Sequence, residues 1–338
     1  MPELQQPVVA NESEISAIGD TPNRRIRLLI GGRYRDVHLK LEGHNPGGSV
    51  KDRTAFSLLK SLEVTGQLRE GGRLIESSSG NLAISLAMLA RDRGYQFTAV
   101  IDPSVTAENM RRLQALGAET RIVESPDQTG GYLLNRLALV RKLLVEDPGL
   151  VWTNQYSNAA NPEAHYLGTA PEIQRQMANK VDAVFVAVST GGTLAGIGRF
   201  FRETSPDTRI IAVDVRGSAA LGGSLGVRKV TGIGSGRRSE FVSPEQYDEI
   251  LYVGDCEAFA FCRTLNDATG IKVGGSSGAV LAACSQYLQT HDKVERVVCI
   301  CADCGEHYAS TIFSNSWLAL NGLEIAQQHL GGVSEIRG

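Results

Sequence analysis

Strand-length apolar runs alternate with helix-like segments along most of the chain. The first series of runs comprises "RLIES" (73–77), "FTAVID" (97–102) and "ETRIVES" (119–125). The second series comprises "VDAVFVAVS" (181–189), "RIIAVDVRG" (209–217), "EILYVGD" (249–255) and "RVVCICAD" (296–303). Continuous apolar strands separated by helices are typical of parallel sheets covered on both faces. The pattern predicts an α/β fold of two lobes with parallel-rich sheets and a ligand cleft between them.

The two ends of the chain lack this pattern. The first 25 residues and about the last ten contain no comparable alternation, and "LGGVSEIRG" (330–338) is the clearest case. We predict that both ends are loosely held termini.

Composition narrows the class of protein. The chain has 338 residues, of which 42% are hydrophobic and 21% charged, as in globular proteins with a sizeable core. A net charge of -3 argues against binding to nucleic acid, which usually requires a basic excess. The apolar runs are too short for a membrane span, and the polar N-terminus lacks the features of a signal peptide. We expect a cytoplasmic protein that binds neither nucleic acid nor membrane.

The six cysteines all lie in the last quarter of the chain, at positions 256, 262, 284, 299, 301 and 304. "CICADCGEH" (299–307) brings three of them close to His307, which leaves a metal or redox site open as an alternative. Cys299 and Cys301 alternate within an apolar strand, however, and no second Cys/His cluster completes a zinc site. We predict reduced, buried thiols and no metal.

"HNPGGSVKDR" (44–53) places Lys51 shortly after a proline and two glycines. A helix that begins near Ser49 would hold Lys51 in its first turn, where the positive end of the helix dipole disfavours a cation. Lys51 is therefore either solvated and idle, bound to an anion, or used as an amine in chemistry.

Three loops between a strand and the following helix share small, hydroxylated residues. They are "ESSSGNLA" (76–83), "VSTGGTLAG" (188–196) and "VGGSSGAV" (273–280). In parallel sheets, loops at this edge contact the ligand. The glycine-rich turn of the second loop is suited to one phosphate, and the dinucleotide and P-loop motifs are both absent. Each loop taken alone also fits an ordinary turn or helix cap.

A buried amine, one phosphate cradle, an asparagine and a serine together indicate pyridoxal 5′-phosphate. This cofactor needs a Schiff-base lysine, an anchor for a single phosphate, and partners for its ring oxygen and ring nitrogen. Lys51, the 188–196 loop, Asn81, and Ser276 or Ser277 can supply them. Formation of a Schiff base would also remove the unfavourable charge of Lys51.

Seven motifs occur in the order found in the cysteine synthase/cystathionine β-synthase family of fold-type II pyridoxal-phosphate enzymes. They are "NPGGSVKDR", "SSSGNLA", "NQYSNAANPEAHYLGTAPEI", "VSTGGTLAG", "GIGSG", "GGSSGA" and "CGEHY". This resemblance extends from about Gly19 to Trp317 and implies a tryptophan synthase β-like fold and a homodimer. It also implies a larger, cofactor-anchoring lobe of residues 1–44 and 151–330 and a smaller, mobile substrate-binding lobe of residues 45–150.

The resemblance implies roles for individual residues. Lys51 would form the Schiff base and later take the α-proton of the substrate, Asn81 would hold the ring hydroxyl, and Ser276 would face the ring nitrogen. The phosphate of the cofactor would bind to Ser189, Thr190, Gly191, Gly192 and Thr193. The α-carboxylate of the substrate would bind to Ser78, Ser79, Gly80 and Gln155. The implied reaction is β-replacement on an activated L-serine, which a neutral serine at the ring nitrogen favours.

Within the family, several motifs resemble the N-(2-amino-2-carboxyethyl)-L-glutamate synthases more than the sulfide-using cysteine synthases. Leu82 and Ala83 stand where the latter usually carry threonine and glycine, whereas "ESSSGNLA", "GGYLLNR" and "GIGSGR" look closer to the former. Those synthases use O-phospho-L-serine and L-glutamate on the route to 2,3-diaminopropionate, a building block of siderophores and peptide antibiotics.

Two arginines match that subfamily. A phosphate leaving group and a dicarboxylate nucleophile both call for cations, and Arg136 and Arg237 would supply them, assisted by the hydroxyls of Tyr156 and Ser189. A solvated surface charge is the alternative for each arginine. His165 is interpreted as a structural hydrogen-bonding residue, because Lys51 can already carry the proton.

The last motif departs from the family. The pattern "P-[SD]-x-G-[ED]-R-Y" reads "ADCGEHY" (302–308) here, with Ala302 in place of proline and His307 in place of arginine. Asp303 resembles the glutamate-using subfamily. The open alternatives are an O-acetylserine or O-phosphoserine sulfhydrylase, a cystathionine β-synthase without a regulatory domain, and a catalytically silent scaffold with the same fold.

Overall fold

The structure is a computed structural model that describes residues 17–325 and 333–335. Its strands are β1 (Asn23–Ile30), β2 (Arg33–Leu41), β3 (Arg73–Ser77), β4 (Gln96–Ile101), β5 (Glu119–Ile122), β6 (Leu150–Trp152), β7 (Ala183–Ala187), β8 (Arg209–Val215), β9 (Glu249–Val253), β10 (Val297–Cys301) and β11 (Val333–Glu335). Its first helices are α1 (Lys51–Val64), α2 (Asn81–Asp92), α3 (Ala107–Ala115), α4 (Leu133–Glu146) and α5 (Ala160–Ala164). They are followed by a π-helical turn (His165–Thr169), α6 (Ala170–Gln176), α7 (Gly192–Thr204), α8 (Asp255–Thr269), α9 (Gly275–Leu288) and α10 (Asn315–Leu320).

The larger sheet has seven strands in the order β11-β1-β2-β10-β7-β8-β9. From β2 to β9 neighbouring strands are parallel, whereas β1 pairs antiparallel with both β2 and β11. Side chains of β10 alternate between two apolar cores, with Cys299 and Cys301 in one and Val298 and Ile300 in the other. Helices therefore cover both faces, as the continuous apolar runs predicted.

The smaller sheet has four parallel strands in the order β5-β4-β3-β6. Leu74 of β3 faces the core shared with α1 and α2, and Ile75 faces a second core shared with α4. Because β6 pairs with β3, this sheet includes residues 150–152, on both sides of the predicted lobe boundary. The assignment of residues 45–150 to a separate mobile lobe stays a prediction.

The expectation of loosely held termini is wrong for two segments. Residues 23–25 belong to β1, and residues 333–335 form β11, which pairs with β1 through Ile26 and Glu335. Without β11 the outer edge of β1 would present unpaired backbone groups, and a short added strand satisfies them. This pairing joins segments about 300 residues apart, so local sequence pattern does not reveal it. Residues 1–16 and most of 326–338 lie outside the described residues.

A buried network of four charges holds the beginning of α1. Arg53 donates to Glu42, with Nε and Oε2 2.6 Å apart, and to Glu172, with Nη1 and Oε1 2.6 Å apart. Glu172 also accepts from Lys40 Nζ at 2.6 Å, so two cations face two carboxylates. Burial opposes ionisation of Glu172, but the hydrogen bonds and charges of Arg53 and Lys40 lower its pKa to about 2. The network joins the first turn of α1 to the end of β2 and to α6.

Within the residues described, no helix has the length and apolar character needed to cross a bilayer.

Replacement of Arg53 by methionine tests this network. Arg53→Met leaves Glu42 and Glu172 with fewer buried partners, and we expect the free energy of unfolding to fall by about 3–5 kcal/mol. Arg111→Met is the matched control, because Arg111 is exposed and contacts Glu108 and the Ala107 carbonyl on the surface of α3. It should cost less than about 1 kcal/mol. Equal, small losses in urea denaturation would contradict a structural role for the network.

Candidate active site

Lys51 is the first residue of α1. The preceding turn is tight: Gly48 has a φ of 87°, and a Cβ on Gly47 would lie 2.3 Å from Asp52 Oδ1. Among the described residues the Lys51 amine has no hydrogen-bond or ion-pair partner. Burial lowers the pKa of Lys51, and the negative charge of Asp303 opposes this shift. An unpartnered, desolvated amine of lowered pKa is suited to attack on a carbonyl carbon.

The glycine-rich loop after β7 forms a closely packed turn into α7. Gly191 has a φ of 92°, and a Cβ there would lie 2.1 Å from Ser239 Oγ. A Cβ on Gly192 would lie 2.0 Å from Asn161 Oδ1. Steric contact thus requires glycine at both positions, and at Gly191 the left-handed backbone conformation favours it as well. The turn leads into the first backbone amides of α7, and amides at the beginning of a helix lack acceptors within the helix and can bind a phosphate.

Hydroxyl groups of this loop are held by its surroundings. Ser189 Oγ donates to the Gly234 carbonyl at 3.1 Å, and Thr190 Oγ1 accepts from Asn161 Nδ2 at 3.2 Å. Thr193 Oγ1 lies 3.2 Å from Nε2 of His165. Burial, and then the charges of Lys51 and Arg53, hold the pKa of His165 well below its usual value. A neutral, fully buried histidine among threonines supports the structural interpretation of this residue.

Asn81 is the first residue of α2, and Ser276 is the second residue of α9. The expectation that the loop before α9 follows a strand is wrong, because this loop connects α8 to α9. Asn81 Nδ2 donates to Oδ2 of Asp303 at 2.8 Å. Ser276 is buried, and its hydroxyl makes no hydrogen bond within residues 17–325. Ser277 Oγ, in contrast, accepts from the backbone amide of Ala302 at 3.1 Å. Of the two serines in this loop, Ser276 is therefore the one whose hydroxyl is available to a ligand.

The residues expected to bind a carboxylate come together at the ends of β3 and β6, which are neighbours in the smaller sheet. Ser78, Ser79 and Gly80 follow β3, and Gln155 follows β6 and donates from Nε2 to the Ser77 carbonyl at 2.9 Å. Sequence reasoning missed the residue that joins the two strand ends, Glu76. Its buried carboxylate accepts from Ser77 N at 2.7 Å, Thr153 Oγ1 at 2.5 Å and Gln155 N at 3.0 Å. An acidic residue within the apolar run "RLIES" was the available signal.

Arg136 lies on α4 and reaches the same loop. Its Nη1 donates to Ser79 Oγ at 2.9 Å and lies 3.1 Å from Asp102 Oδ2. Asp102 was also missed, although it follows β4 at the same sheet edge as the other site residues. Arg136 Nε is buried and has no partner, and Nη2 forms no hydrogen bond among the described residues. One edge of the guanidinium is thus held by protein, and the other keeps two free donors.

Arg237 and Tyr156 lie beside this cluster. The Arg237 guanidinium carbon is 5.0 Å from the centroid of the Tyr156 ring, and Arg237 Nη1 lies 3.1 Å from Glu240 Oε1. Burial raises the pKa of Tyr156, while Arg136 and Arg237 oppose the shift. Tyr156 therefore carries a neutral hydroxyl, and both arginines influence it electrostatically.

The cysteine-rich segment is a packing element at this site. All six cysteines are free thiols, and four are buried: Cys262, Cys284, Cys299 and Cys301. The expectation of buried thiols is wrong for Cys256, which is exposed, and for Cys304, which is half-buried. His307 Nε2 lies 2.8 Å from Arg112 Nη1 and 3.4 Å from Cys304 Sγ. Residues 17–325 and 333–335 contain no group of three or more His, Cys, Asp or Glu side chains arranged to hold a metal ion.

Comparison with known proteins identifies the family. The model of the "Pyridoxal-phosphate dependent enzyme" family matches residues 15–303. The chain belongs to this family. N-(2-amino-2-carboxyethyl)-L-glutamate synthase from Ralstonia nicotianae is 40% identical over 322 residues, which cover 95% of this chain and 94% of that protein. The synthase of the same name from Cupriavidus metallidurans is 40% identical over 310 residues, or 91% of each chain.

A solved structure agrees with this assignment. A hydrogen sulfide-producing enzyme from Fusobacterium nucleatum superposes with a TM-score of 0.82 at 30% identity, covering 88% of this chain and 99% of that one. The predicted fold-type II architecture, the cofactor and the class of reaction, a pyridoxal-phosphate-dependent β-replacement, are confirmed.

The donor set fits the cofactor. The half-buried Lys51 supplies an unpartnered amine, the 189–193 turn excludes side chains from a phosphate-sized space, and Ser276 supplies one free hydroxyl, which is the set of groups that this cofactor needs. When bound, pyridoxal phosphate supplies an electron sink for negative charge at the α-carbon of an amino acid. The part taken by each residue remains a prediction.

Substitution of Gly191 tests the cradle. Gly191→Ala places a methyl group against Ser239 and Val242, so we expect the affinity for pyridoxal phosphate to fall at least about tenfold, as for one lost charge-assisted interaction. Gly270→Ala is matched in backbone conformation, with a φ of 74°, but has open space around it. It should cost about 1–2 kcal/mol of stability and leave cofactor affinity unchanged. Titration of each apoenzyme variant with pyridoxal phosphate, followed by cofactor absorbance, measures the two affinities. Equal affinities in Gly191→Ala and Gly270→Ala would contradict the assignment of this turn as the phosphate site.

Proposed function

We propose that this enzyme replaces the phosphate of O-phospho-L-serine with the amino nitrogen of L-glutamate. The products are N-(2-amino-2-carboxyethyl)-L-glutamate and inorganic phosphate. The Cβ–O bond breaks and its electrons leave with phosphate, while a Cβ–N bond forms and the attacking nitrogen loses a proton. The observation that carries the proposal is the 40% identity, over 95% of the chain, to a synthase of that name.

The free edge of Arg136 supports an anionic substrate. Its Nε and Nη2 can donate two parallel hydrogen bonds to a phosphate or a carboxylate. Arginine binds these anions in this bidentate geometry, which lysine cannot form. Arg237 supplies a second cation, and Tyr156 places a neutral donor between them. A phosphorylated amino acid and a dicarboxylate are the reactants that such a pair suits best.

The remaining residues complete the proposal. Ser78, Ser79, Gly80 and Gln155 hold the substrate α-carboxylate, and the loop of residues 189–193 holds the cofactor phosphate. Asn81 holds the ring hydroxyl, and Ser276 faces the ring nitrogen. Lys51 would hold the cofactor through its amine and would take the α-proton of the substrate. The desolvated environment favours the neutral amine that this last step requires.

The proposal also covers the biosynthetic route, the compartment and the oligomeric state. The product is a precursor of 2,3-diaminopropionate for siderophores or peptide natural products, and the enzyme acts in the cytoplasm as a homodimer.

A two-nucleophile assay tests the reaction directly. Purified holoenzyme receives O-phospho-L-serine together with either L-glutamate or sulfide, and phosphate and products are measured by colorimetry and mass spectrometry. We expect phosphate release only with L-glutamate, together with the adduct of the two amino acids. Lys51→Ala should abolish turnover and the visible cofactor absorbance, because the Schiff base requires the Lys51 amine.

The sulfide arm addresses the main alternative. The Fusobacterium nucleatum neighbour is described as producing hydrogen sulfide, so sulfur chemistry is the second candidate. Formation of cysteine from sulfide, with no adduct from L-glutamate, would assign the chain to the cysteine synthases. Absence of product in both arms, with normal cofactor absorbance, would reject both.

Arg136 provides a test of the leaving group. Arg136→Ala should lower kcat/KM for O-phospho-L-serine by about 10- to 100-fold, as for loss of a charge-assisted pair, and should affect O-acetyl-L-serine less. Arg141→Ala is the control, because Arg141 lies on the same helix and is exposed. Equal losses with both substrates would show that Arg136 does not distinguish phosphate.

A further inference from the structure

Asp303 is a buried carboxylate to which neither the sequence motifs nor the proposed reaction assigns a role. It follows β10 by two residues and is 2% exposed. Its backbone pairs with Ser49 just before α1, and its carbonyl accepts from Gly274 N just before α9. The residue is thereby fixed between the helix that carries Lys51 and the helix that carries Ser276.

The two carboxylate oxygens have different surroundings. Oδ2 accepts from Asn81 Nδ2 at 2.8 Å and from Tyr308 Oη at 2.6 Å. Oδ1 is buried and has no partner. It occupies space that Gly274 leaves open, since a Cβ on Gly274 would lie 2.1 Å from Oδ1. Burial raises the pKa of Asp303, and the hydrogen bonds from Tyr308 and Asn81 oppose this shift, because an ionised carboxylate only accepts hydrogen bonds.

The surroundings of Asp303 contain few charges. The titratable groups around it are Lys51 of α1, Cys262 of α8, Cys301 of β10, and Cys304, His307 and Tyr308 of the following turn. Burial raises the pKa of Cys262, Cys301, Cys304 and Tyr308 and lowers that of His307, so these groups tend to stay neutral. The Lys51 nitrogen is the group whose positive charge Asp303 can stabilise.

We propose that Asp303 is a positioning residue that fixes the carboxamide of Asn81 and sets the proton affinity of the Lys51 nitrogen. One N–H of Asn81 is held by Asp303, so the amide cannot flip and its second N–H stays directed at the ligand. The negative charge beside Lys51 favours the protonated nitrogen, both in the free amine and in its linkage to the cofactor. This inference depends on the cofactor alone and not on which nucleophile is used.

Asp303→Asn separates charge from shape. The neutral amide has nearly the same size, so we expect the pH at which the bound cofactor changes its visible absorbance to fall by about one unit or more. The pH dependence of cofactor uptake by the apoenzyme should shift in the same direction, because more of the Lys51 amine is then neutral. Neither measurement involves turnover.

Tyr308→Phe is the matched control. It removes one hydrogen bond from the same oxygen but keeps the charge, and should move both pH profiles by less than half as much. If Asp303→Asn binds no cofactor, Asp303→Ser provides a second neutral side chain that occurs in the family pattern, and the same downward shift is expected. Unchanged profiles in a folded, neutral variant would overturn the proposal, as would an equal shift in Tyr308→Phe.

Discussion

The buried charges around Arg53 are the constraint on which the site depends. Lys51 must stand at the beginning of a helix, in a desolvated place, with its amine free of partners. The glycine turn that permits this position does not itself hold the helix. Arg53, one half-turn further on, does so by binding Glu42 and Glu172, which belong to the larger sheet and its helix. A network with balanced charge can be buried without leaving any ion uncompensated.

A second buried carboxylate, Glu76, holds the strand ends from which the carboxylate-binding residues come. Glu76 is a buried carboxylate with four donors from its own strand end and from the 152–155 segment. Burial raises the pKa of Glu76, and these hydrogen bonds counteract the shift. The positions of Ser78 and Gln155 relative to one another therefore follow from one satisfied polar group. Rigid placement of the groups that contact a ligand is what allows binding energy to be used for orientation.

The features that the sequence predicted correctly are those that depend on local residue pattern. Alternating strands and helices gave the fold class, and glycine and hydroxyl residues after strands gave the loops of the site, because conformation there depends on neighbouring residues. The contacts that join these loops could not be predicted in the same way. Asn81 and Asp303 are 222 residues apart, and Arg53 and Glu172 are 119 apart. Asp102 was a partial exception, since it follows β4 at the sheet edge where ligands bind.

Charge pairing within the site has a consequence for substrate choice. Arg136 pairs with Asp102 and Arg237 pairs with Glu240, so the charge of each arginine is already partly balanced by a carboxylate. Asp102 is itself held by Ser79 Oγ and by the backbone of Ser104, and it keeps Nη1 of Arg136 occupied. In the proposed reaction, an anion would not replace the carboxylate of Asp102 but would approach the Nε and Nη2 edge of Arg136 with two oxygens in the plane of the guanidinium. Selection there would rest on the geometry of this contact more than on net charge, which would favour a phosphate or carboxylate over the neutral acetyl group of O-acetyl-L-serine.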